Sequence, residues 1–308
     1  MIEVSGLTRY YGYNPAVLDV SFTIQNNQVV GFLGLNGAGK STTLKILAGL
    51  LLPSAGSVSI DGVDVVEAPD SFRATIGFLP EDAPLYRDMR VRDFVVYSGR
   101  LKGMSAAEAE AKVDPVLARC DVASHAQDVI STLSHGYRKR VGIAQAIIHS
   151  PKLVILDEPI SGLDPVQIRA IRQVIVGLKQ HCTVLISSHI LSEISQTCDR
   201  ILVLKDGRLV AEGTEGELSA RLSGGGRLLL ELRGEAKAIV ASLEAFEHCS
   251  KVEVKRTDKG IVHVLVNLTS DERETLVTHL VSAGFGLRRL ADAEGELEEI
   301  FLNLMERS

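Results

Sequence analysis

The sequence predicts an α/β fold built on a mostly parallel sheet, followed by a smaller α+β unit. Continuous apolar runs at Val29–Leu33, Leu153–Leu156 and Thr183–Ser188 are typical of strands that are buried on both faces of such a sheet. The first run leads through a glycine-rich loop into a helical segment that opens at Thr42. A flexible run, Ser223–Gly226, then separates this part from a second set of strands and helices.

The glycine-rich loop Gly34–Ser41 fits the pattern G-x-x-x-x-G-K-[ST] of a phosphate-binding loop. Glycine lets the backbone curl around a phosphate, while main-chain N–H groups and the helix N-terminus supply partial positive charge. In this pattern Lys40 reaches the β- and γ-phosphates, and the Ser41 hydroxyl is a ligand of Mg²⁺. The residues expected to bind the nucleotide are Gly34, Asn36, Gly37, Ala38, Gly39, Lys40, Ser41 and Thr42.

Two acidic residues, Asp157 and Glu158, end the second apolar strand. Ligands of open α/β sheets lie at the carboxyl ends of strands, so both acids should lie on the edge that carries the phosphate loop. Successive side chains of a strand point in opposite directions, which predicts different roles. We assign Asp157 to Mg²⁺, directly or through water, and Glu158 to polarising the attacking water as general base. Alone, the pair could simply cap the next element; the phosphate loop favours catalysis.

His189 follows the third apolar strand and should reach the same edge of the sheet. Most lone histidines are surface residues or hydrogen-bonded core residues. Its place in the alternation of strands and helices instead favours contact with a γ-phosphate or orientation of the attacking water.

Further segments with motif character surround these sites, namely Tyr10–Gly12 ahead of the first predicted strand, Ile76–Glu81, Leu133–Tyr137 and Ser161–Asp164. Taken in order with the loop, the acidic strand and His189, they resemble the A-loop, Q-loop, signature and D-loop of the nucleotide-binding subunits of ABC transporters. The resemblance covers about residues 1–218. The segment Leu133–Gly142 is most similar to the ABC-2 export group, which includes gliding-motility-type and multidrug or polysaccharide exporters.

The resemblance implies a role for each matching position. Tyr11 would stack on adenine, with Tyr10 as the rival candidate and surface packing as the alternative. Ser134 and the backbone N–H of Gly136 would contact the γ-phosphate held by another subunit, at a helix N-terminus that favours an anion. Asp164 would lie at the same interface. The resemblance therefore implies that ATP and Mg²⁺ are bound between two nucleotide-binding domains.

Two departures from the family pattern concern these motifs. The Q-loop position holds Glu81 instead of Gln; its carboxylate can still reach Mg²⁺ or a water, and it adds negative charge beside the γ-phosphate. The signature keeps the contacting residues Ser134 and Gly136, while His135 and Tyr137 replace Gly and Gln. A homodimer is expected, and pairing with a different subunit stays open.

Residues of about 82–150 should form a helical subdomain inserted in the sheet core, with helices at Val91–Tyr97 and Ala106–Val113. In ABC proteins this subdomain and the Q-loop form the groove for a coupling helix of the permease. The candidate groove residues, for which ordinary core packing is the alternative, are Leu85, Tyr86 and Met89.

The ATP-binding domain should span residues 1–218, the linker 219–226 and an accessory α+β domain 227–308. In the accessory domain, the order strand, helix, strand, strand, helix, strand suggests a ferredoxin-like fold. These elements are predicted at Arg227–Leu232, Ala236–Phe246, Val252–Arg256, Ile261–Asn267, Asp271–Ala283 with an Asp cap, and Phe285–Leu290, with a hairpin turn at Asp258–Gly260 and a last helix at Leu297–Met305. The domain carries no catalytic constellation; it is a regulatory or dimerisation module, or an inert packing module.

Composition narrows the class of protein. The 308 residues are 45% hydrophobic, and no window has the length and purity of a transmembrane helix or the layout of a signal peptide. The four cysteines show no C-x-x-C spacing, which favours a reducing compartment. The net charge is −6 without a basic tract, so nucleic acid is not expected as a partner.

The sequence thus predicts a cytosolic ATPase subunit, peripheral on the cytoplasmic face of the cell membrane. It would bind MgATP, dimerise around two nucleotides and power a separate polytopic permease, an exporter by analogy. The alternative is a soluble ABC-type ATPase acting on ribosomes or DNA; those typically carry two cores in one chain or a long coiled-coil insertion, whereas one core is found here. A kinase would leave Leu133–Tyr137 and His189 unexplained.

Overall fold

The computed structural model divides the chain into two compact units, Met1–Glu212 and Gly213–Ser308. The residues that the structure describes are 1–218, 227–258 and 260–292. Outside them lie the predicted linker, Lys259 of the predicted hairpin turn, and the predicted last helix at Leu297–Met305. Within the described ranges, no helix combines the length and the apolar character needed to cross a membrane.

Strands and helices alternate along the first unit. Its strands are β1 (Ile2–Tyr11), β2 (Asn14–Ile24), β3 (Val29–Leu33), β4 (Ala55–Ile60), β5 (Val63–Asp64), β6 (Ile76–Leu79), β7 (Leu153–Leu156), β8 (Thr183–Ser188), β9 (Arg200–Lys205) and β10 (Arg208–Gly213). Its helices are α1 (Lys40–Leu47), α2 (Pro69–Ala74), α3 (Val91–Leu101), α4 (Ala106–Arg119), α5 (His135–Ile147), α6 (Pro165–Leu178) and α7 (Leu191–Ser195).

The main sheet has six strands in the order β10-β9-β3-β8-β7-β6. The pairs β9–β3, β3–β8, β8–β7 and β7–β6 are parallel, which confirms the predicted α/β class. Every residue of β3, β7 and β8 is buried, as their continuous apolar character requires. Leu79, Leu156 and Ile186 are aligned across the sheet, so the chain leaves β6, β7 and β8 at one edge.

A second, antiparallel sheet with the order β2-β1-β4-β5 packs on the first. Phe22 of β2 and Phe32 of β3 meet edge to face, with ring centroids 5.5 Å apart, in the core that both sheets share. The sequence analysis did not predict this sheet, and its placement of Tyr10–Gly12 ahead of the first strand is wrong because Tyr11 ends β1. The reason is that β1 alternates buried and exposed residues, a weaker signal than a continuous apolar run.

Helices α3, α4 and α5 form the helical part between β6 and β7. A capping box starts α4: the Ser105 hydroxyl accepts from the backbone N–H of Glu108, whose carboxylate accepts from the N–H of Ser105. The helix continues through Pro115 to Arg119, beyond the predicted end at Val113. Burial of Val116 and Leu117 accounts for the longer helix, because tertiary packing overrides the low helix propensity of proline.

The second unit contains β11 (Arg227–Arg233), α8 (Ala236–Glu244), β12 (Cys249–Asp258), β13 (Ile261–Leu268), α9 (Arg273–Ser282) and β14 (Gly286–Asp292). Its antiparallel sheet has the order β12-β13-β11-β14, which is the arrangement of a ferredoxin-like fold and confirms that prediction. Leu230, Val264, Ile239 and Leu276 join both central strands and both helices in one core.

The predicted Asp cap of the second helix in this unit is wrong. Helix α9 begins at Arg273, after Glu272, and it has no side-chain cap. The carboxylate of Asp271 instead pairs with the Nε of Arg273 at 3.0 Å, so it is directed away from the free N–H groups of the first turn.

Two glycines test the packing of the first unit. A Cβ at Gly77 of β6 would collide with the carbonyl oxygen of Ala146 in α5, whereas a Cβ at Gly177 of α6 would meet nothing within 4 Å. We expect Gly77→Ala to lower the free energy of unfolding by about 1–3 kcal/mol. Gly177→Ala should raise it by up to about 1 kcal/mol, because alanine favours the helix. Urea unfolding followed by circular dichroism measures both; equal stability of the two variants would contradict this packing.

Candidate functional site

The loop between β3 and α1 is shaped by close backbone contacts that exclude a Cβ. At Gly34 a Cβ would lie 2.6 Å from the carbonyl oxygen of Leu204, and at Gly39 it would lie 2.5 Å from that of Ala16. Gly39 also has a left-handed φ of 97°, which directs the chain into α1. Glycine is therefore required at both ends of the turn, and the main chain of the loop stays uncovered.

Lys40 is buried in this loop and is only 6% exposed. Its Nζ donates to the carbonyl oxygens of Gly34 at 2.6 Å and Leu35 at 3.2 Å, and it lies 3.9 Å from Oε1 of Glu158. Burial lowers the pKa of the Lys40 ammonium, while the negative charge of Glu158 opposes that change. The ammonium is thus held at the mouth of the loop by carbonyl groups that an anion can replace.

Glu158 and His189 are in direct contact. The Nδ1 atom of His189 lies 3.1 Å from both carboxylate oxygens of Glu158, whose side chain is 10% exposed. Burial raises the pKa of the Glu158 carboxyl, and the hydrogen bond from His189 opposes that rise. Glu158 also has a left-handed φ of 45°, an uncommon conformation outside glycine that turns the chain sharply after β7.

The neighbouring carboxylate of Asp157 has a different partner. The hydroxyl of Ser187 in β8 donates to Oδ1 of Asp157 at 2.6 Å and accepts from the backbone N–H of Glu158 at 2.8 Å. Asp157 is buried, with 5% exposed. One hydroxyl on the adjacent parallel strand therefore fixes both acids. Sequence analysis gave Ser187 no role, because a serine at the end of an apolar strand is not a distinctive signal.

An open cavity of about 240 Å³ lies over these groups. Its lining residues are Ala16, Leu35, Asn36, Gly37, Gly39, Lys40, Ser41, Thr42, Glu81, Glu158 and His189. The structure thus brings most of the predicted loop together with the predicted base, the histidine and Glu81. Gly34 and Ala38 belong to the loop but do not line the cavity. Ala16 was missed by the sequence analysis, since its place beside Gly39 arises only in the folded chain.

The predicted A-loop residues, Tyr10 and Tyr11, lie outside the cavity lining. Tyr11 is 50% exposed, and the guanidinium of Arg9 lies 5.3 Å from its ring centroid. One face of the Tyr11 ring is therefore covered by a cation, and a planar group can stack on the other. Tyr10 is 43% exposed, so exposure alone does not separate the two candidates.

Ser134 caps the N-terminus of α5, where its hydroxyl accepts from the backbone N–H of Tyr137. The ring of Tyr137 contacts two partners, with the His125 ring 4.2 Å and the Arg140 guanidinium 4.8 Å from its centroid. These two contacts hold the side chain of Tyr137, which replaces the glutamine of the family signature.

Gly136 and Asp164 lie at the junction of α5 and α6. A Cβ at Gly136 would collide with the side chain of Gln167, which also accepts from Nη2 of Arg140 at 3.0 Å. Asp164 caps α6, accepting from the backbone N–H groups of Val166 at 2.9 Å and Gln167 at 3.0 Å. Neither residue lines the cavity within this chain.

The oxygen atoms at this site suit a hard cation that takes most of its ligands from water and from the substrate. Ser41 and Glu81 line the cavity, and the carboxylate of Asp157 lies at the same sheet edge. Among the residues that the structure describes, no group of three or more His, Cys, Asp or Glu could hold a metal by itself. One hydroxyl and one or two carboxylates are what Mg²⁺ commonly takes from a protein when phosphates supply the rest.

Comparisons with known proteins identify relatives of this chain. The model of the ABC transporter family matches residues 17–161. The daunorubicin resistance ATP-binding protein of Streptomyces coeruleorubidus is 34% identical, over 98% of this chain and 95% of that protein. The bacitracin transport ATP-binding protein of Bacillus licheniformis is 31% identical, over 99% and 97%. The linearmycin resistance ATP-binding protein of Bacillus subtilis (strain 168) is 29% identical, over 100% and 99%.

Solved structures match about 70% of the chain. The ATP-binding subunit of an ABC transporter is 32% identical with a TM-score of 0.64, covering 72% of this chain and 92% of that one. A dimeric bacterial ABC transporter cassette is 27% identical with a TM-score of 0.63, covering 70% and 98%. The same cassette in a post-hydrolysis state bound to ADP and Pi is 26% identical with a TM-score of 0.62, covering 70% and 98%.

The buried carboxylate of Glu158 should make stability depend on pH. Because burial raises its pKa, the folded chain holds this proton more tightly than the unfolded chain. The contribution of Glu158 to stability therefore falls as pH rises from about 4, the ordinary glutamate value, through the raised folded value. Glu158→Gln removes this loss, so its stability relative to the parent should increase over that window and then level off.

The measurement is urea unfolding of the parent and of Glu158→Gln at a series of pH values. Glu67→Gln, at an exposed side chain of the same unit, controls for the loss of one carboxylate. A difference between Glu158→Gln and the parent that does not change with pH would show that burial does not disfavour the charged carboxylate.

Proposed function

The chain belongs to the ABC transporter family of ATP-binding subunits, and we propose that it hydrolyses ATP to drive export through a separate ABC-2 type membrane permease. The cassettes of this family are ATPases coupled to transport. The observation that carries the proposal is the cavity in which the phosphate-loop Lys40 meets the contacting pair Glu158 and His189. A positive group for phosphates and a carboxylate for water are thereby joined in one site.

Binding of the triphosphate would use the main chain of the loop and Lys40. The N–H groups at the start of α1 and the helix dipole favour an anion at this position. Phosphate oxygens would take the place of the carbonyl oxygens of Gly34 and Leu35 as acceptors for Nζ of Lys40. Since the ammonium is already buried there, little side-chain ordering is needed when the nucleotide enters.

Hydrolysis would depend on Glu158 as the general base and on His189 as its partner. A carboxylate whose pKa is raised by burial is a better proton acceptor at neutral pH than an ordinary glutamate. The bond between Nδ1 of His189 and the carboxylate orients Glu158 toward the cavity, which places the base where a water can reach it. His189, which is 41% exposed at its side chain, is also free to contact the γ-phosphate.

Ser41, Asp157 and Glu81 are the residues that would hold Mg²⁺ with the phosphates. When bound, this ion neutralises charge on the phosphate oxygens. Ser187 keeps the Asp157 carboxylate at the sheet edge, so its role is to hold a ligand in place. Glu81 replaces the usual glutamine and brings an additional negative charge to the cavity.

We infer that the complete site is shared between two copies of the cassette. Ser134 and the N–H of Gly136 would contact the γ-phosphate of the other copy, and Asp164 would lie at the same interface. A dimeric cassette that is 27% identical supports this assignment. Tyr11 would stack on adenine with the ring face that Arg9 leaves uncovered.

Export and a permease partner are supported by the relatives, which are named for linearmycin resistance, bacitracin transport and daunorubicin resistance. These names favour transport over action on ribosomes or DNA. A second cavity beside the first, of about 250 Å³, is lined by Leu85, Arg87 and Arg138 among others, and it would receive the coupling segment of the permease. The protein would then sit on the cytoplasmic face of the membrane.

Glu158→Gln should retain ATP binding and lose nearly all turnover, by about 100-fold or more, because the base is removed while the phosphate contacts stay. The variant should accumulate as an ATP-bound dimer, detected by size-exclusion chromatography with MgATP. Lys40→Ala is the matched contrast, since it should lose nucleotide affinity itself. Turnover at the parental rate in Glu158→Gln would remove Glu158 as the base.

The partner is tested with tagged Glu158→Gln protein and MgATP in detergent-solubilised membranes of the native host. We expect a polytopic membrane protein at two-to-two stoichiometry, because the stalled dimer holds both cassettes against the permease. Parallel samples without nucleotide and with Lys40→Ala control for nonspecific capture. Recovery of ribosomes or nucleic acid instead of a membrane protein would overturn the transport proposal.

A further inference from the structure

Lys139 is a buried lysine that the proposed chemistry does not use. It lies on α5 and is 4% exposed. Its Nζ donates to the carbonyl oxygen of Glu81 at 2.7 Å and to that of Glu158 at 3.4 Å. Among the residues that the structure describes, no carboxylate oxygen lies within 4.0 Å of Nζ of Lys139, the distance that defines an ion pair. The ammonium therefore binds main chain rather than a side-chain anion.

A buried ammonium is costly unless its surroundings are negative. Burial lowers the pKa of Lys139, and the charges of Glu81 and Asp82, followed by Asp157 and Glu158, oppose that change. An apolar side chain of the same length would avoid the cost of removing the charge from water. The acids of the site therefore favour the charged form of Lys139. The two hydrogen bonds of its Nζ are made to the backbone of two of these acids, Glu81 and Glu158.

The two carbonyl groups belong to separate segments that both end at the site. Glu81 follows β6, and Glu158 follows β7 with its left-handed φ of 45°. Lys139 itself belongs to the helix that Ser134 caps. One side chain therefore joins three segments: the chain after β6, the chain after β7, and helix α5, whose cap residue Ser134 does not line the cavity.

We propose that Lys139 is a positioning residue for ATP hydrolysis, which fixes the main chain of Glu158 and ties it to Glu81 and to helix α5. The inference rests on the proposed role of Glu158 as general base. Holding the carbonyl group of Glu158 sets the turn that carries its carboxylate, so the base meets the water at a defined place. A shift of α5, caused by a partner at Glu81 or at Ser134, is then transmitted to the base through Lys139.

The test compares two variants. Lys139→Met keeps about the length of the side chain but has neither a charge nor a hydrogen-bond donor, whereas Lys139→Arg keeps the charge and the donors. Lys102→Met controls for the loss of a lysine that bonds a main-chain carbonyl away from the site, because Nζ of the exposed Lys102 donates to the carbonyl oxygen of Ile76 at 3.2 Å, at the opposite end of β6. ATP affinity is measured by equilibrium binding, and kcat and KM are measured by phosphate release. The apparent Tm is recorded for every variant.

For Lys139→Met we expect kcat to fall by about 10- to 100-fold with ATP affinity within about twofold of the parent, since a small displacement of a catalytic group costs rate and not binding. Lys139→Arg should recover kcat to within about threefold of the parent. Lys102→Met should keep the parental kcat. This split between rate and affinity, with rescue by arginine, is not produced by a general loss of stability.

A parental kcat in Lys139→Met would overturn the inference. So would a loss of kcat and ATP affinity in equal proportion with a lowered Tm, since that pattern describes a structural lysine. If Lys139→Met does not fold, Lys139→Leu, which also lacks charge and donor, is measured by the same readouts, and a parental kcat in that variant overturns the inference. Glu158→Gln separates the two proposals. Parental turnover in Glu158→Gln would show that Glu158 is not the general base. If Glu158→Gln loses turnover while Lys139→Met keeps the parental rate, only the positioning role of Lys139 is overturned.

Discussion

The site depends on one constraint, the parallel pairing of neighbouring strands: β3 with β8, β8 with β7, and β7 with β6. Strands β3, β7 and β8 are buried on both faces, so none of them can shift register without exposing apolar side chains to water. Because the strands run in one direction, their carboxyl ends share one edge. The phosphate loop, the acidic pair and His189 are neighbours for that reason, although more than one hundred residues separate the first from the second.

The same burial makes the charges at this edge depend on each other. Lys40, Asp157, Glu158 and Lys139 are all buried, and both acids act electrostatically on each of the two lysines. In a medium of low dielectric constant, an isolated charge is costly and a neighbouring opposite charge is effective. The negative charges of the acids therefore oppose the effect of burial on the pKa of both lysines. Backbone carbonyl groups and the Ser187 hydroxyl complete this cluster, so hydrogen bonds and charges act as one network.

The class of fold and the site edge were predictable because they depend on strong local signals. A continuous apolar run, a glycine-rich loop and acids at the end of a strand are legible without knowledge of distant contacts, and the comparisons confirm the family that they indicate. The antiparallel sheet of β1 and β2 was missed, because its one-sided alternation is a weak pattern. Ser187 and Lys139 were missed for another reason: their roles arise from hydrogen bonds to residues far away in the chain.

The second unit shows which features of a fold a sequence pattern can predict and which it cannot. Its alternation of strands and helices was sufficient to predict the ferredoxin-like order, since topology follows from the sequence of elements and the handedness of their connections. The Asp cap of α9 was not predictable in this way. Whether Asp271 bonds to the helix or to Arg273 is decided by side-chain geometry over a few ångströms, and a pattern of residue types carries no such information.

The left-handed backbone at Glu158 restricts which substitutions this position can accept over evolutionary time. A side chain with a Cβ costs about 1–2 kcal/mol in this conformation, and branching at Cβ makes it worse. Glycine would relieve the backbone and at the same time remove the acid. The same substitution would remove the contacts of the Glu158 carboxylate with His189 and Lys40. Relief of the backbone conformation and loss of the proposed base would therefore come from one change at this position.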